Sequence, residues 1–268
     1  MKLDVLVACM HRSDNSLIAR SRITGNALVI NQCDREGEYS FQTERGTVRW
    51  VDSRQRGLTR SRNLAISLSE GDCCLLCDDD EVFEPDYEQK ILSAYASLPQ
   101  ADVIIFKMKN RAPSFPDHVM ELKFPQTMRV SSWQISFRRE SLLKSGVRFD
   151  ELLGAGTGNG AEEELKFLTD CQKAGLKIYY VPQTIASVAQ AESTWFAGFD
   201  EQFFYNRGAT TRYILGLPLA AAYGFYYVAR KKKLYEKDIT PANALKSIFR
   251  GMMDNKITKQ AKEKKQVN

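Results

Sequence analysis

The residues with the most chemistry in this chain are four consecutive acids, Asp78-Asp79-Asp80-Glu81, set directly after the apolar run 73–77. Four carboxylates cannot all be buried unpaired, because each uncompensated one costs several kcal/mol. Along an extended chain Asp78 and Asp80 project to the same side. Two hard oxygen ligands on one side suit Mg²⁺ or Mn²⁺, with phosphate oxygens completing the octahedron; the plain alternative is a solvated acidic turn. Upstream, Arg56-Gly57-Leu58-Thr59-Arg60-Ser61-Arg62-Asn63 opens a helix. Its free N–H groups, the helix dipole and the arginine forks suit phosphate or a nucleotide, or else they form a solvated basic helix start. Downstream, Glu162-Glu163-Glu164 follows residues 154–160, which hold four glycines in seven. Clustered carboxylates raise one another's pKa, and one of them can take the proton of a sugar hydroxyl. The same acids are also favoured at a helix start by the dipole alone.

Other candidates carry less. Residues 154–160 lack the Lys-Ser/Thr ending of a phosphate loop and have no strand before them, so a loop that closes over substrate is the better reading. Two histidines, His11 and His118, are too few and too scattered for a zinc site. Trp133 and Trp195 can stack on a sugar ring or fill core. Cys74-Leu-Leu-Cys77 spells C-x-x-C, but it lies inside an apolar run rather than at a helix start, and it reads as core cysteine rather than a redox pair.

These residues need elements to hold them. Short apolar runs at 3–9, 27–30, 47–51, 73–77 and 101–108 read as strands, the first, second and fourth running into polar clusters. A helical face of Leu64, Ala65 and Leu68 falls between the third and fourth, stopped by Gly71. Pro85 suits the first position of a helix that buries Ile91, Leu92, Tyr95 and Leu98. The alternation predicts an α/β domain with a mostly parallel sheet and right-handed crossovers, so all strand ends meet at one edge. Ligands sit at that edge in such sheets, and 11–14, 31–34 and 78–81 land there. Beyond 130 the pattern predicts a strand at 134–137, helices at 139–145 and 161–174, a strand at 177–181 closed by Pro182, and a helix start at Pro241.

The chain has 268 residues, 43 % hydrophobic and 26 % charged, which excludes disorder over most of its length. Its net charge of +5 is segregated. Residues 230–268 carry 12 Lys/Arg against 4 Asp/Glu, and residues 1–229 carry 26 against 29. A mildly acidic body argues against nucleic acid as a partner, and a basic tail permits contact with an anionic membrane. Residues 213–229 hold no formal charge and precede Arg230-Lys231-Lys232-Lys233. They read either as a helix in the membrane interface or as one packed on the domain, and are too short and interrupted for a comfortable span. No signal-peptide pattern opens the sequence, so a cytoplasmic location with reduced cysteines is expected, peripheral to the inner face of the membrane where the tail touches it. Disorder is expected after Lys256. The predicted division is a domain at 1–209 and a basic helical extension at 210–268.

Taken in order, these pieces resemble the family 2 glycosyltransferases, which are inverting enzymes with a GT-A fold. The similarity spans residues 3 to about 194. It rests on Gly57-Leu-Thr-Arg60-Ser61-Arg62-Asn63 at a helix start and on the D-x-D motif Asp78-Asp79-Asp80 with Pro85 five residues on. It continues through the segment from Ser136 to Gly146-Val-Arg-Phe149-Asp150-Glu151, the acidic pair in Glu163-Glu164-Leu-Lys-Phe167, and Gly175-Leu-Lys-Ile-Tyr-Tyr-Val-Pro182. Two stretches depart from the family pattern. Strand one ends in Ala8-Cys9-Met10-His11, and strand two runs into Asn31-Gln32-Cys33-Asp34.

The resemblance implies a nucleotide-diphosphate sugar donor, most often a UDP-sugar, with Mn²⁺ or Mg²⁺. It implies Asp80 and Asp78 at the metal and diphosphate, with Asp80 the direct ligand. It implies Ala8, Asp34, Gly57, Arg60, Asn63, Asp78 and Asp79 around the nucleotide sugar, and Glu164, with Glu163 second, as the base; Trp133 is expected on the acceptor side from its capacity to stack on a sugar ring. The acceptor expected from resemblance and charge is a glycan, free or on a lipid carrier, as in bacterial surface-polysaccharide assembly (capsule or O-antigen). Two rivals share the acid pair: a nucleotidyltransferase that makes sugar nucleotides, and a nucleotide-sugar-binding module without turnover.

Overall fold

The computed structural model describes residues 1–111, 115–160, 162–188 and 198–267, with side chains to 264. The chain divides into two compact units. The first comprises Met1–Phe149 and Glu164–Ala191, the second Asp150–Glu163 and Glu192–Asn268. Position 209, where the sequence suggested a boundary, lies inside a helix of the second unit.

The first unit is an α/β layer structure. Its strands are β1 (Leu3–Met10), β2 (Asn26–Gln32), β3 (Gly37–Gln42), β4 (Thr47–Ser53), β5 (Cys73–Asp78), β6 (Glu81–Phe83), β7 (Val103–Met108), β8 (Met120–Glu121), β9 (Ile135–Arg138) and β10 (Ile178–Val188). Its helices are α1 (Ser16–Arg20), α2 (Leu58–Leu68), α3 (Tyr87–Ser97), α4 (Arg139–Ser145) and α5 (Glu163–Lys173); the boundary between units falls after Glu163. The strands form one sheet in the order β3-β4-β2-β1-β5-β9-β7-β10-β6, with β8 on β10. Six of them (β1, β2, β4, β5, β7, β10) run the same way, and β3, β6, β8 and β9 run against them. The expected mixed α/β architecture with a mostly parallel centre is present.

The strands form where they do because both sheet faces are covered. Central parallel strands are apolar at every position rather than at alternate ones, and β1 is buried from Leu3 to Cys9. Successive side chains enter opposite layers. Val5, Val7, Leu75 and Cys77 join a core layer with Ile18, Ile91 and Tyr95 from α1 and α3. Leu6, Cys74 and Leu76 join a second layer with Ala65, Leu142, Phe167 and Leu168 from α2, α4 and α5. A separation of three therefore puts Cys74 and Cys77 on opposite faces, so the C-x-x-C spelling is not a pair. All six cysteines are buried and free, and burial pushes the Cys9 and Cys74 thiols up to about 12.

Three local expectations are corrected. Pro85 is not the first helical residue, since α3 begins at Tyr87 behind Asp86. Pro182 does not close the last strand: β10 continues to Val188, and the β7 register shifts between Val181 and Thr184, which accommodates a residue without an N–H. The tail after Asn255 is helical, with Ile257 buried.

The second unit is helical, with α6 (Glu201–Leu215), α7 (Leu217–Arg230), α8 (Lys232–Tyr235), α9 (Pro241–Asp254) and α10 (Lys256–Val267). Thr240 caps α9, accepting from the Asn243 N–H, and Pro241 is its first residue, as the sequence predicted. Its core gathers Phe204, Tyr227, Tyr235, Ile248 and Met252.

Candidate active site

The parallel strands β1, β2, β4 and β5 end at one edge of the sheet, at Met10, Gln32, Ser53 and Asp78. Ala8 stands opposite Asp78 in the β1–β5 register. Asp78 is the last strand residue, and Asp79 and Asp80 form a turn rather than extended chain. The alternation argument for Asp78 and Asp80 therefore does not apply, and each acid has its own surroundings.

Asp78 is held from both sides. Arg62 Nη2 donates to its Oδ1 at 3.0 Å, and Ser132 Oγ donates to its Oδ2 at 3.1 Å. Its N–H donates to Glu81 Oε1 at 2.8 Å. Arg62 is 2 % exposed, and its guanidinium lies 5.3 Å over the Phe149 ring. Asp79 accepts from Arg12 Nη2 at 2.5 Å. Asp80 is half-buried, and burial, then the charges of Asp78 and Asp79, push its carboxyl above the usual range. Glu81 is 1 % exposed, its Oε2 has no hydrogen-bond partner among the described residues, and burial followed by Asp78 raises it well above the carboxylate range. Negative charge is thus crowded at the end of β5 beyond what Arg62 and Arg12 offset.

Such a site fits a cation. Among the described residues no group of three or more His, Cys, Asp or Glu is placed to hold a metal with protein ligands alone. With Asp78 committed to Arg62 and Ser132, Asp80 is the carboxylate that could hold a divalent ion.

The neighbouring strand ends are stitched together. Asn31 accepts from the Arg12 N–H at 3.0 Å and donates to the Arg12 carbonyl at 2.9 Å and to Asp52 Oδ1 at 2.7 Å. Asp52 is buried, which would raise its carboxyl. The hydrogen bonds from Arg35, Asn31 and Trp50 outweigh that and hold it below the usual range. Gly57 adopts φ +116, in the region that favours glycine, and its N–H donates to Gln32 Oε1 at 2.7 Å. Asp34 is exposed and pairs with Arg56, and Arg60 is exposed on α2.

Asn63 is placed differently from the other expected nucleotide contacts. Its Nδ2 donates to the Phe149 carbonyl and its Oδ1 accepts from the Phe149 N–H, both at 2.9 Å, so both ends of the amide are committed. Phe149 stacks on Phe167 of α5 at 4.2 Å and 4°. A run of contacts therefore leads from Asp78 through Arg62 and Phe149 to the helix whose first turn carries Glu164. Glu164 is half-buried and Glu163 is buried. Trp133 packs half-buried against the first core layer with the Arg111 guanidinium 5.4 Å over its ring; Trp195 lies outside the described residues. The sequence places Arg12 in the 11–14 cluster and Arg62 in the basic helix start without giving either a role, and it gives no sign of Ser132. Arg62 had a signal in the basic helix start, whereas Ser132 sits 54 residues from its partner with none.

Residues 31–150 match the model of the family described as "Glycosyl transferase family 2". The match runs from the end of β2 through the acid run and stops before the glycine-rich loop and the acidic pair. No curated protein matches the sequence significantly. Among solved structures, S. aureus TarS 1–349 in complex with UDP-GlcNAc is similar with a TM-score of 0.56 at 16 % identity, covering 83 % of this chain and 66 % of that one. The same TarS segment in complex with UDP gives 0.55 at 17 %, covering 78 % and 65 %. Full TarS gives 0.54 at 14 %, covering 95 % of this chain and 43 % of that one. The chain thus spans just under two thirds of the first two and less than half of the third. These similarities are of fold, and they carry the GT-A architecture. Residues 31–150 therefore match the glycosyl transferase family 2 model, and the chain shares the GT-A fold of these structures.

Proposed function

We propose that the protein is an inverting glycosyltransferase that moves a sugar from a UDP-sugar to a hydroxyl of a glycan acceptor, in the assembly of a bacterial surface polysaccharide. The observation that carries the reading is the acid run at the C-terminal end of β5, with Asp78 locked by Arg62 and Ser132 and Asp80 left in surplus negative charge. The UDP and UDP-GlcNAc held by TarS, whose fold this chain shares, support the donor class. A divalent Mn²⁺ or Mg²⁺ on Asp80, with Asp78 beside it, would neutralise charge on the leaving diphosphate. Glu164, or Glu163 in its place, takes the acceptor proton as the hydroxyl oxygen bonds to the anomeric carbon from behind. The bond from that carbon to the diphosphate oxygen breaks, and the nucleoside diphosphate leaves with its electron pair. The strand-end network around Asn31 and Asp52 and the Gly57 turn form the nucleotide side. The acceptor is read as lipid-linked, and the protein as peripheral to the inner face of the membrane.

Melting curves with a panel of UDP-sugars, with and without Mn²⁺, test the donor, since a ligand of the native state raises the melting temperature. Asp80→Ala is expected to lose the Mn²⁺-dependent rise. Glu164→Ala is expected to keep the rise and lose transfer by about 10²–10⁴-fold. Transfer at near wild-type rate in Glu164→Ala would remove the base assignment, and no stabilisation by any UDP-sugar would remove the donor.

A further inference from the structure

The stretch 150–163, which contains the glycine-rich loop, belongs to the unit built from α6–α10. Four side-chain contacts tie it to those helices. Asp150 accepts from the Tyr213 hydroxyl at 2.5 Å, Glu151 pairs with Lys264 at 3.4 Å, Asn159 donates to Gln260 at 3.3 Å, and Glu162 accepts from Arg207 Nη1 at 2.6 Å. The Lys264 pair is exposed and worth little. The Arg207 pair is of another kind, because its two side chains are only 15 % and 16 % exposed. The Arg207 guanidinium lies 4.2 Å from the Tyr227 ring centre and 5.0 Å from that of Phe203, and its Nη1 also donates to the Tyr223 hydroxyl at 3.0 Å.

Glu162 is a non-glycine residue at φ +69. That conformation costs about 1–3 kcal/mol and persists only where the surroundings enforce it. A buried ion pair is weak evidence for stability, since an apolar pair of similar volume often does as well. A desolvated pair that holds a strained backbone is better explained by a need for position. Glu163 and Glu164 come directly after Glu162 and make up the first turn of α5. A left-handed residue at that point fixes the direction in which the chain enters the helix.

We propose that Arg207, backed by Tyr223, is a positioning residue for the acidic pair: by gripping the Glu162 carboxylate it holds Glu162 in its left-handed conformation and so fixes the turn from which Glu163 and Glu164 project. The inference rests on the transferase reading of that pair. Arg207 acts through Glu162 and takes no part in the proton transfer.

The test compares Arg207→Met, Arg207→Lys, Glu162→Gln and the double variant Arg207→Met/Glu162→Gln in transfer assays with the full chain. A misplaced base can cost on the order of 10²-fold. Arg207→Met is expected to lower kcat to about that extent while the donor KM stays within about twofold and stabilisation by UDP is retained. Arg207→Lys should recover part of the loss. The double variant should be no worse than Arg207→Met, because both changes break one link. Wild-type kcat in Arg207→Met, equal loss in kcat and donor affinity, or additive losses in the double variant would each overturn the proposal. If Arg207→Met does not fold, Tyr223→Phe and Arg207→Lys are read instead, and wild-type kcat in both overturns it. Inactive Glu164→Ala beside a fully active Arg207→Met would sink this inference alone. An active Glu164→Ala would sink the base assignment, and this inference with it.

Discussion

Replacing Arg62 tests how the acid run is held. Its guanidinium is buried, donates to Asp78 and covers the Phe149 ring, so one side chain joins the strand end to the core under α5. Removing one partner of a buried pair costs about 3–5 kcal/mol, but the Asp78 side chain is 28 % exposed, and water offsets part of this loss. Arg62→Met is therefore expected to destabilise the first unit by about 2 kcal/mol and to abolish UDP-induced stabilisation. Arg62→Lys is not expected to restore it, because a point charge replaces neither the fork nor the flat contact on the ring. Urea unfolding and melting with UDP check both, and an Arg62→Met protein of wild-type stability and UDP response would refute the role. Much of this site was legible as residue types: acids after a strand, arginines at a helix start, glutamates after a glycine loop. What each one touches was not. Asn63, read as a nucleotide contact, spends its amide on Phe149, 86 residues away, and Ser132 reaches Asp78 across 54 residues. Pairings at such separations leave no periodic trace in a single sequence.

At the scale of elements, the second unit depends on how closely α6 and α9 approach. A Cβ on Gly208 would sit 2.0 Å from the Ile248 carbonyl oxygen, and one on Gly251 would sit 2.0 Å from that of Tyr205. Both obstacles are backbone, so neither can swing aside, and even the methyl group of alanine forces the helices apart. Gly208→Ala and Gly251→Ala are each expected to cost about 3 kcal/mol or more, at the upper end of overpacking effects. The loss should fall on the second unit, and limited proteolysis should cut within residues 198–267 first. Wild-type resistance in both variants would show that the close approach is not required. Neither glycine stood out in the sequence, because a glycine inside a helix shows no sign of what lies across from it. The elements themselves were largely legible, since strands such as β1 and β5 are apolar but for Asp4 and the terminal Asp78, and α3 has a periodic stripe. The misreadings came from residues whose local rule was overridden. Pro182 sits at a register shift instead of a strand end, and the polar tail gains a helix anchored by Ile257, with Asn255 in the left-handed conformation at the junction.

For the whole molecule the uneven charge is the widest-reaching feature, and α7 gives it a surface. Sequence offered three readings for residues 213–229, an interfacial helix, a packed helix or a span, and the structure breaks the stretch at Gly216, between the end of α6 and α7, a helix with two apolar faces. Ala220, Gly224, Tyr227 and Val228 are buried in the helical core, while Leu217, Leu219, Phe225 and Tyr226 are exposed. Arg230 to Lys233 follow, all exposed, and Leu234 is 58 % exposed beside them. Among the described residues no helix is long and apolar enough to cross a membrane. A bare apolar face next to four cations matches the chemistry of an anionic bilayer surface, where each cation contributes about 1 kcal/mol and a buried aromatic side chain adds about 1.5–3 kcal/mol. The protein is therefore expected to sediment with vesicles containing phosphatidylglycerol and not with purely zwitterionic ones. Raising the salt to about 1 M shortens the screening length to about 3 Å and should release most of it. Changing Lys231, Lys232 and Lys233 together to Glu should abolish binding, because it replaces three attractions with three repulsions. Phe225→Ser with Tyr226→Ser should weaken binding about tenfold or more while leaving the salt dependence in place, since the charges are untouched. Equal partition onto anionic and neutral vesicles, or binding unaffected by both sets of changes, would mean that this face does not meet a membrane.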